Sequence, residues 1–293
     1  FIKGQDWTLS IISIEQAFSK ANVYEKKGAF EEARKLYYDV LQAFPKNKRA
    51  KQRLKALKSK KYSAPTKGLP QENINQLVKL YNQGELLEVI DQANLLIEQD
   101  PGAFIVWNLL GAASKGLGRI NEASKAFKKV TELNPTYANG FINLGVTLKD
   151  QGLLDEAIAS YKKALLLKPD YAEAYFNMGN ALKDQGQLNK AIVSYQKALS
   201  INSDYAEAYN NKGVVLNDQG KFDEALVLFE KALLLKVDFA DAFFNKGNAL
   251  KGQRKHTEAI ASYEKSLSLR PDCVEAYFNL GTALQDQASL IKR

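Results

Sequence analysis

The chain has 293 residues, 45% of them hydrophobic and 25% charged, an ordinary globular composition. Its apolar runs are only a few residues long, which excludes a membrane-spanning helix, and its single cysteine, Cys273, excludes an internal disulfide framework. A lone thiol suits a reducing compartment, so a cytoplasmic location is expected; Phe1 at the start leaves an upstream targeting segment open. The formal net charge of +8 is not spread evenly. Ten Lys and Arg residues and no acids fall between Lys46 and Lys67, and without them the chain carries 31 basic against 33 acidic residues.

In chain order, an apolar arm, "FIKGQDWTLSII", comes first. Residues 14–47 follow as a helix pair, with Gly28, Ala33, Tyr37 and Pro45 at the offsets that recur downstream. The basic stretch "NKRAKQRLKALKSKK" places Ala50, Leu54 and Leu57 on one helical face and reads as a third helix closing a small N-terminal unit. "SAPTKGLP" (63–70) reads as a linker. The expected division is therefore 1–69 and 70–293. Residues 70–103 form a degenerate repeat that keeps Gly84 and Pro101.

From there a period of 34 residues holds. Glycines stand at 111, 145, 179, 213, 247 and 281, and a second series at 84, 118, 152, 186 and 220 breaks at Arg254. The units are 104–137, 138–171, 172–205, 206–239, 240–273 and a partial 274–293. Position 4 of each unit is aromatic, position 20 is alanine in the five full units, position 24 is Phe or Tyr, and position 32 is proline in three of five. Positions 4, 7, 8 and 11 share one face of a first helix, and 20, 24 and 27 share one face of a second. Glycine at position 15 separates the two, and proline stops the second. Such short helices are marginal alone, so each pair must bury its apolar stripe against its neighbours. The fold class is all-α: a solenoid of stacked helical hairpins.

Catalytic chemistry finds little to work with. His256 is the only histidine and is expected in an exposed turn at the start of a second helix. Cys273 closes a repeat and reads as a small packing residue. No phosphate-binding glycine loop occurs, and no metal or cofactor is expected.

The polar positions carry more information. At 100° per residue, positions 2, 6, 9 and 13 lie opposite the packing face of the first helix. Position 6 is an unbroken run, Asn143, Asn177, Asn211, Asn245 and Asn279. Position 9 adds Asn180 and Asn248; position 13 adds Asp150, Asp184 and Asp218, with Asp286 in the partial unit. Glu173, Glu207, Asp241 and Glu275 stand at position 2. Duplication without selection accounts for acids near a helix N-terminus, where the dipole favours them. It accounts poorly for asparagine, a mediocre helix former. The favoured reading is a ligand-holding ladder. An amide offers both donor and acceptor to a peptide unit. First helices about 10 Å apart would give five rungs spanning about 40 Å, or roughly 12 extended residues. On this reading the asparagines are dispensable for folding.

The pattern in "FINLGVTLKDQGLLDEAIASYKKALLLKP" (141–169) resembles the tetratricopeptide repeat (TPR), with leucine in place of tyrosine at position 11 and lysine at position 7 in Lys212 and Lys246. The resemblance implies a right-handed superhelix with its inner surface lined by first helices. The array from 138 onward also resembles the superhelix of O-linked N-acetylglucosamine transferases, whose inner asparagine ladder holds substrate peptide; the likeness breaks at Leu109. A chaperone-binding carboxylate clamp is not implied, since position 5 is Ile142, Phe176, Asn210, Phe244 and Phe278 where lysine is needed. The expected function is a non-catalytic scaffold for an extended peptide or protein segment, with a preference for basic partners. A substrate-recruiting arm of a larger glycosyltransferase- or sulfotransferase-like enzyme, as in similar bacterial TPR proteins, is the alternative. Self-association through uncapped ends or the N-terminal arm is a third. The basic segment 46–67 reads as a solvated face, not a specific nucleic-acid site, as no aromatic interrupts it before Tyr62.

Overall fold

In this computed structural model, residues 5–26, 30–44, 46–60 and 69–291 are described. The chain divides into two compact units, Phe1–Gly68 and Leu69–Arg293. The linker expected at 63–70 lies outside the described residues except for Leu69 and Pro70.

The first unit holds α1 (Gln5–Lys26), α2 (Phe30–Ala43) and α3 (Lys48–Lys60). From Gln5 onward the segment read as an arm continues directly into α1, a helix of 22 residues. The basic helix α3 turns Ala50, Leu54 and Leu57 inward against Phe18, Ala21, Ala33, Tyr37 and Val40. Part of its charge is engaged inside the unit. Arg49 bonds Glu15 at 2.8 Å and stacks 4.3 Å from the Phe18 ring, and Arg53 lies 3.7 Å from Glu25. Tyr37 donates to Glu25 at 2.7 Å. Burial, then that carboxylate, push its hydroxyl up to about 12.

The second unit alternates first and second helices. The first helices are α4 (Gln71–Gln83), α6 (Phe104–Gly116), α8 (Ala138–Asp150), α10 (Ala172–Asp184), α12 (Ala206–Asp218), α14 (Ala240–Gly252) and α16 (Val274–Ile291). The second helices are α5 (Leu86–Gln99), α7 (Ile120–Leu133), α9 (Leu154–Leu167), α11 (Leu188–Ile201), α13 (Phe222–Leu235) and α15 (His256–Leu269). Among the described residues all regular structure is helical.

A steric pairing sets the repeat. A Cβ placed on Gly145 would lie 2.5 Å from the Tyr161 ring, and one on Gly179 would lie 2.6 Å from Tyr195. Gly111, Gly213 and Gly247 meet Phe127, Phe229 and Tyr263 in the same way. Position 8 must therefore be glycine because the aromatic at position 24 lies flat against its backbone. Each of these five rings is at most 2% exposed, and burial of such a side chain contributes roughly 1.5–3 kcal/mol. The second glycine series adopts the left-handed backbone, with φ between 71° and 79° from Gly84 to Gly220. Arg254 keeps that turn at φ 62° without being glycine.

Stacking is reinforced by a polar row. Position 14 is glutamine in five successive units, and each donates to position 18 of the preceding unit. Gln151 reaches Asn121 at 2.6 Å, Gln185 reaches Asp155 at 2.8 Å, and Gln219 reaches Asn189 at 3.0 Å. Gln253 reaches Asp223 and Gln287 reaches Thr257, both at 2.7 Å. The pairs α4/α6, α8/α10, α10/α12, α12/α14 and α14/α16 pack directly on each other, while successive second helices make no comparable contact. The stack therefore bends with the first helices on its inner side.

Candidate functional site

The inner side of this bend is the face that carries positions 2, 6, 9 and 13. All five position-6 asparagines are half-buried, and four use their amide nitrogen to reach the preceding repeat. Asn143 donates to Asn108 at 3.1 Å and Asn245 to Asn210 at 3.0 Å. Asn211 donates to Asn180 and Asn279 to Asn248, both at 2.9 Å. Asn180 and Asn248 each accept a second bond from the tyrosine at position 24 of their own repeat, Tyr195 at 2.7 Å and Tyr263 at 2.8 Å. Asn210 in turn donates to Asn211 at 3.1 Å.

Two sequence expectations change here. Each of these four asparagines ties two repeats together, so each adds to the stability of the stack as well as lining the groove; a part-buried amide bond of this kind contributes about 1 kcal/mol. Nor does every rung present a full amide. Asn143, Asn245 and Asn279 keep a free carbonyl oxygen, whereas Asn180 and Asn248 keep a free amide nitrogen. Asn177 forms no side-chain hydrogen bond, because positions 5 and 9 of the preceding repeat are Ile142 and Val146.

The position-13 acids form a second row. Asp150 lies 3.7 Å from Lys115 and 3.9 Å from Lys149; Asp184 lies 3.8 Å from Lys149 and 3.9 Å from Lys183. The row ends at Asp218, which is exposed and has Asn217 beside it at position 12. At position 2, Glu207 meets Lys236 at 3.3 Å and Asp241 meets Arg270 at 2.8 Å. Much of the acidity of this face is thus matched internally, and such exposed pairs contribute little to stability.

His256 is not the exposed turn residue expected from the sequence. Its side chain is only 10% exposed, with Nδ1 3.9 Å from Asp286, because the last turns of α16 pack beside the start of α15. Cys273 is buried with Leu267 and Ala276. Lys246 lifts its amine to Glu230 at 3.0 Å, and burial lowers the affinity of Lys212 for its proton. Among the described residues no group of His, Cys, Asp and Glu could hold a metal ion, and no helix is long and apolar enough to cross a membrane.

The glutamine row was missed in the sequence, although its unbroken run at position 14 was visible. The asparagine pairings were hidden because their acceptor alternates between positions 5 and 9.

A bent stack of helical hairpins with a continuous polar row on its inner face defines an α-solenoid of the helix-turn-helix repeat class. Family models of the tetratricopeptide repeat match residues 105–137, 206–239 and 240–273, and a TPR repeat model matches 147–186 and 179–220. Together they span more than half of the chain, which belongs to the tetratricopeptide repeat proteins. Among solved structures, MamA is 30% identical over 59% of this chain and 94% of its own, with a TM-score of 0.50. A tetratricopeptide repeat protein from Parabacteroides merdae is 15% identical over 93% of this chain and 99% of its own, with a TM-score of 0.58. YrrB, described as a TPR protein with an unusual peptide-binding site, is 22% identical over 64% and 96%, with a TM-score of 0.50. At these identities the latter two show the fold. No curated protein matches the chain.

Proposed function

We propose that residues 138–291 hold an extended polypeptide segment along the inner face of the first helices, as a protein-interaction scaffold without catalysis of its own. The observation that carries this reading is the alternation of unengaged groups along the asparagine row. Carbonyl oxygens of Asn143, Asn245 and Asn279 stand as acceptors, and amide nitrogens of Asn180 and Asn248 stand as donors. An extended backbone alternates N–H and C=O groups in the same way, and contacts to it tolerate any side chain. Each neutral contact contributes about 1 kcal/mol net, offset by the ordering of the ligand. Affinity of roughly micromolar order follows. Because Asp150 and Asp184 already have lysine partners, the preference for a basic partner rests on Asp218 with Glu173 and Glu275 at position 2.

The test uses a fluorescein-labelled dodecapeptide of alternating serine and lysine, blocked at both ends, with anisotropy as the readout. Combined Asn143→Ala, Asn245→Ala and Asn279→Ala changes should weaken binding at least tenfold, while circular dichroism reports a folded array. Undiminished binding by a folded triple variant rejects the reading.

A further inference from the structure

The junction between α8 and α10 differs from the others in one respect. At the remaining four, a side-chain carbonyl of the preceding repeat receives the amide of the position-6 asparagine. Asn108 and Asn210 supply it from position 5, Asn180 and Asn248 from position 9. At this junction both positions are apolar, Ile142 and Val146. A second, independent observation marks the same place. In register, Tyr161, Val146 and Asn177 stand where Tyr195, Asn180 and Asn211 stand one repeat on, and where Tyr263, Asn248 and Asn279 stand three repeats on. In those two repeats one carbonyl oxygen takes both the tyrosine hydroxyl and the asparagine amide. Here the Tyr161 hydroxyl is fully buried and has no partner. Two donors converge on a side chain that cannot accept.

We infer that Asn177 is the anchoring rung of the groove, gripping the N–H and C=O of a single ligand residue, and that Val146 is the specificity-determining residue that keeps it free to do so. This rests on the groove reading above and sharpens it. In an extended segment the N–H and C=O of one residue point to the same side, and a carboxamide with both ends free matches them as a pair. The other position-6 rungs have committed their nitrogen and offer at most an oxygen. Anchoring at the second of five rungs sets the register of the bound chain, leaving one rung on one side and three on the other. The partner chemistry is a main-chain peptide group, not a charged side chain, because the nearest position-13 acids, Asp150 and Asp184, are both lysine-paired.

Val146→Asn supplies the missing acceptor. It should raise the melting temperature by satisfying Tyr161 and Asn177 and, by occupying the Asn177 nitrogen, weaken binding of the serine-lysine dodecapeptide about fivefold, as expected for one neutral contact. A variant that gains stability and loses affinity is not what a purely structural residue produces. Asn177→Ala should weaken binding at least as much while leaving the melting temperature nearly unchanged, since it breaks no hydrogen bond. That variant decides the matter should Val146→Asn lose stability, which would mean the new side chain does not take up the pairing. Unchanged affinity in a stabilised Val146→Asn, or in Asn177→Ala, overturns the inference while the groove survives. Failure of the unaltered protein to bind the dodecapeptide rejects the groove itself. A dodecapeptide N-methylated at every second residue should bind more weakly than the parent, and equal binding would exclude main-chain recognition.

Discussion

Three tyrosines at equivalent positions give the sharpest test of the packing argument. Tyr161, Tyr195 and Tyr263 are each fully buried. Tyr195 and Tyr263 donate to Asn180 and Asn248 at 2.7 and 2.8 Å, while the Tyr161 hydroxyl has no partner. Replacing each by phenylalanine removes the same oxygen from three closely similar surroundings. At Tyr195 and Tyr263 one hydrogen bond disappears, but the asparagine carbonyl keeps its bond from the next repeat. No buried group is orphaned, so the loss stays near the net value of about 1 kcal/mol. At Tyr161 the change removes a buried hydroxyl that carries a desolvation penalty of roughly 1–3 kcal/mol with no bond to offset it. Tyr161→Phe should therefore stabilise by about 1 kcal/mol, and the sites should differ by about 2 kcal/mol at constant chemistry. For a domain of this size 1 kcal/mol corresponds to roughly 2–4 °C. Differential scanning calorimetry should show Tyr195→Phe and Tyr263→Phe melting lower and Tyr161→Phe melting higher. Repeat arrays can unfold in steps, so hydrogen exchange of α8 to α10 should locate the change. Three shifts of one sign and similar size would refute the assignment of the unpartnered hydroxyl.

Gly179→Ala drives a methyl group to 2.6 Å from the Tyr195 ring and should cost about 1–3 kcal/mol in urea denaturation. Gly281→Ala, where nothing lies within 4 Å, should instead stabilise α16 by roughly 0.5–1 kcal/mol. Arg254 holds φ 62° where other repeats have glycine. Arg254→Gly relieves about 1–2 kcal/mol of left-handed strain, less the entropy glycine adds to the unfolded chain, and should give a net gain of a few tenths to 1 kcal/mol by the same assay. Burial raises the hydroxyls of Tyr161, Tyr195 and Tyr263 far above the ordinary 10.0, and burial followed by nearby Glu173 and Glu207 brings Tyr205 to about 12. The raised values mean that the folded state favours the neutral form. Their contribution is complete below pH 10 and is lost as pH climbs toward and past 12. Melting temperature should hold to about pH 10 and fall steeply above it, with phenolate absorbance near 295 nm appearing together with unfolding; early ionisation of all tyrosines without unfolding would contradict this.

The repeat was legible because its constraints are steric and act within one hairpin. An aromatic at position 24 forbids a Cβ at position 8, and a left-handed turn at position 15 favours glycine. Each leaves the same residue at the same place in nearly every unit. The polar face was legible only in outline. Position 6 is constant from Asn143 onward, but where it bonds the preceding repeat the acceptor moves between Asn108 or Asn210 at position 5 and Asn180 or Asn248 at position 9. Taken one position at a time, those asparagines look like drift. The constraint is on the location of a carbonyl oxygen, and two positions one helical turn apart can place an oxygen there. His256 shows the complementary failure: its burial depends on α16 of the following unit, which no reading of its own turn supplies.

The two polar rows then separate by what they leave over. Each glutamine at position 14 finds its acceptor at position 18 of the preceding repeat, five times in five. That row is accounted for by stacking alone, and duplication is enough to explain its constancy. The asparagine row is not closed in this way. Its members carry two hydrogen-bonding ends on an inner surface, only one end is needed for stacking, and at Asn177 neither is used. Stacking alone gives no role to an asparagine set opposite Ile142 and Val146, and asparagine is a poor helix former. It stands there nonetheless, in the one junction where it can bond nothing in the preceding repeat. The proposed peptide groove gives that side chain a role, and stacking does not.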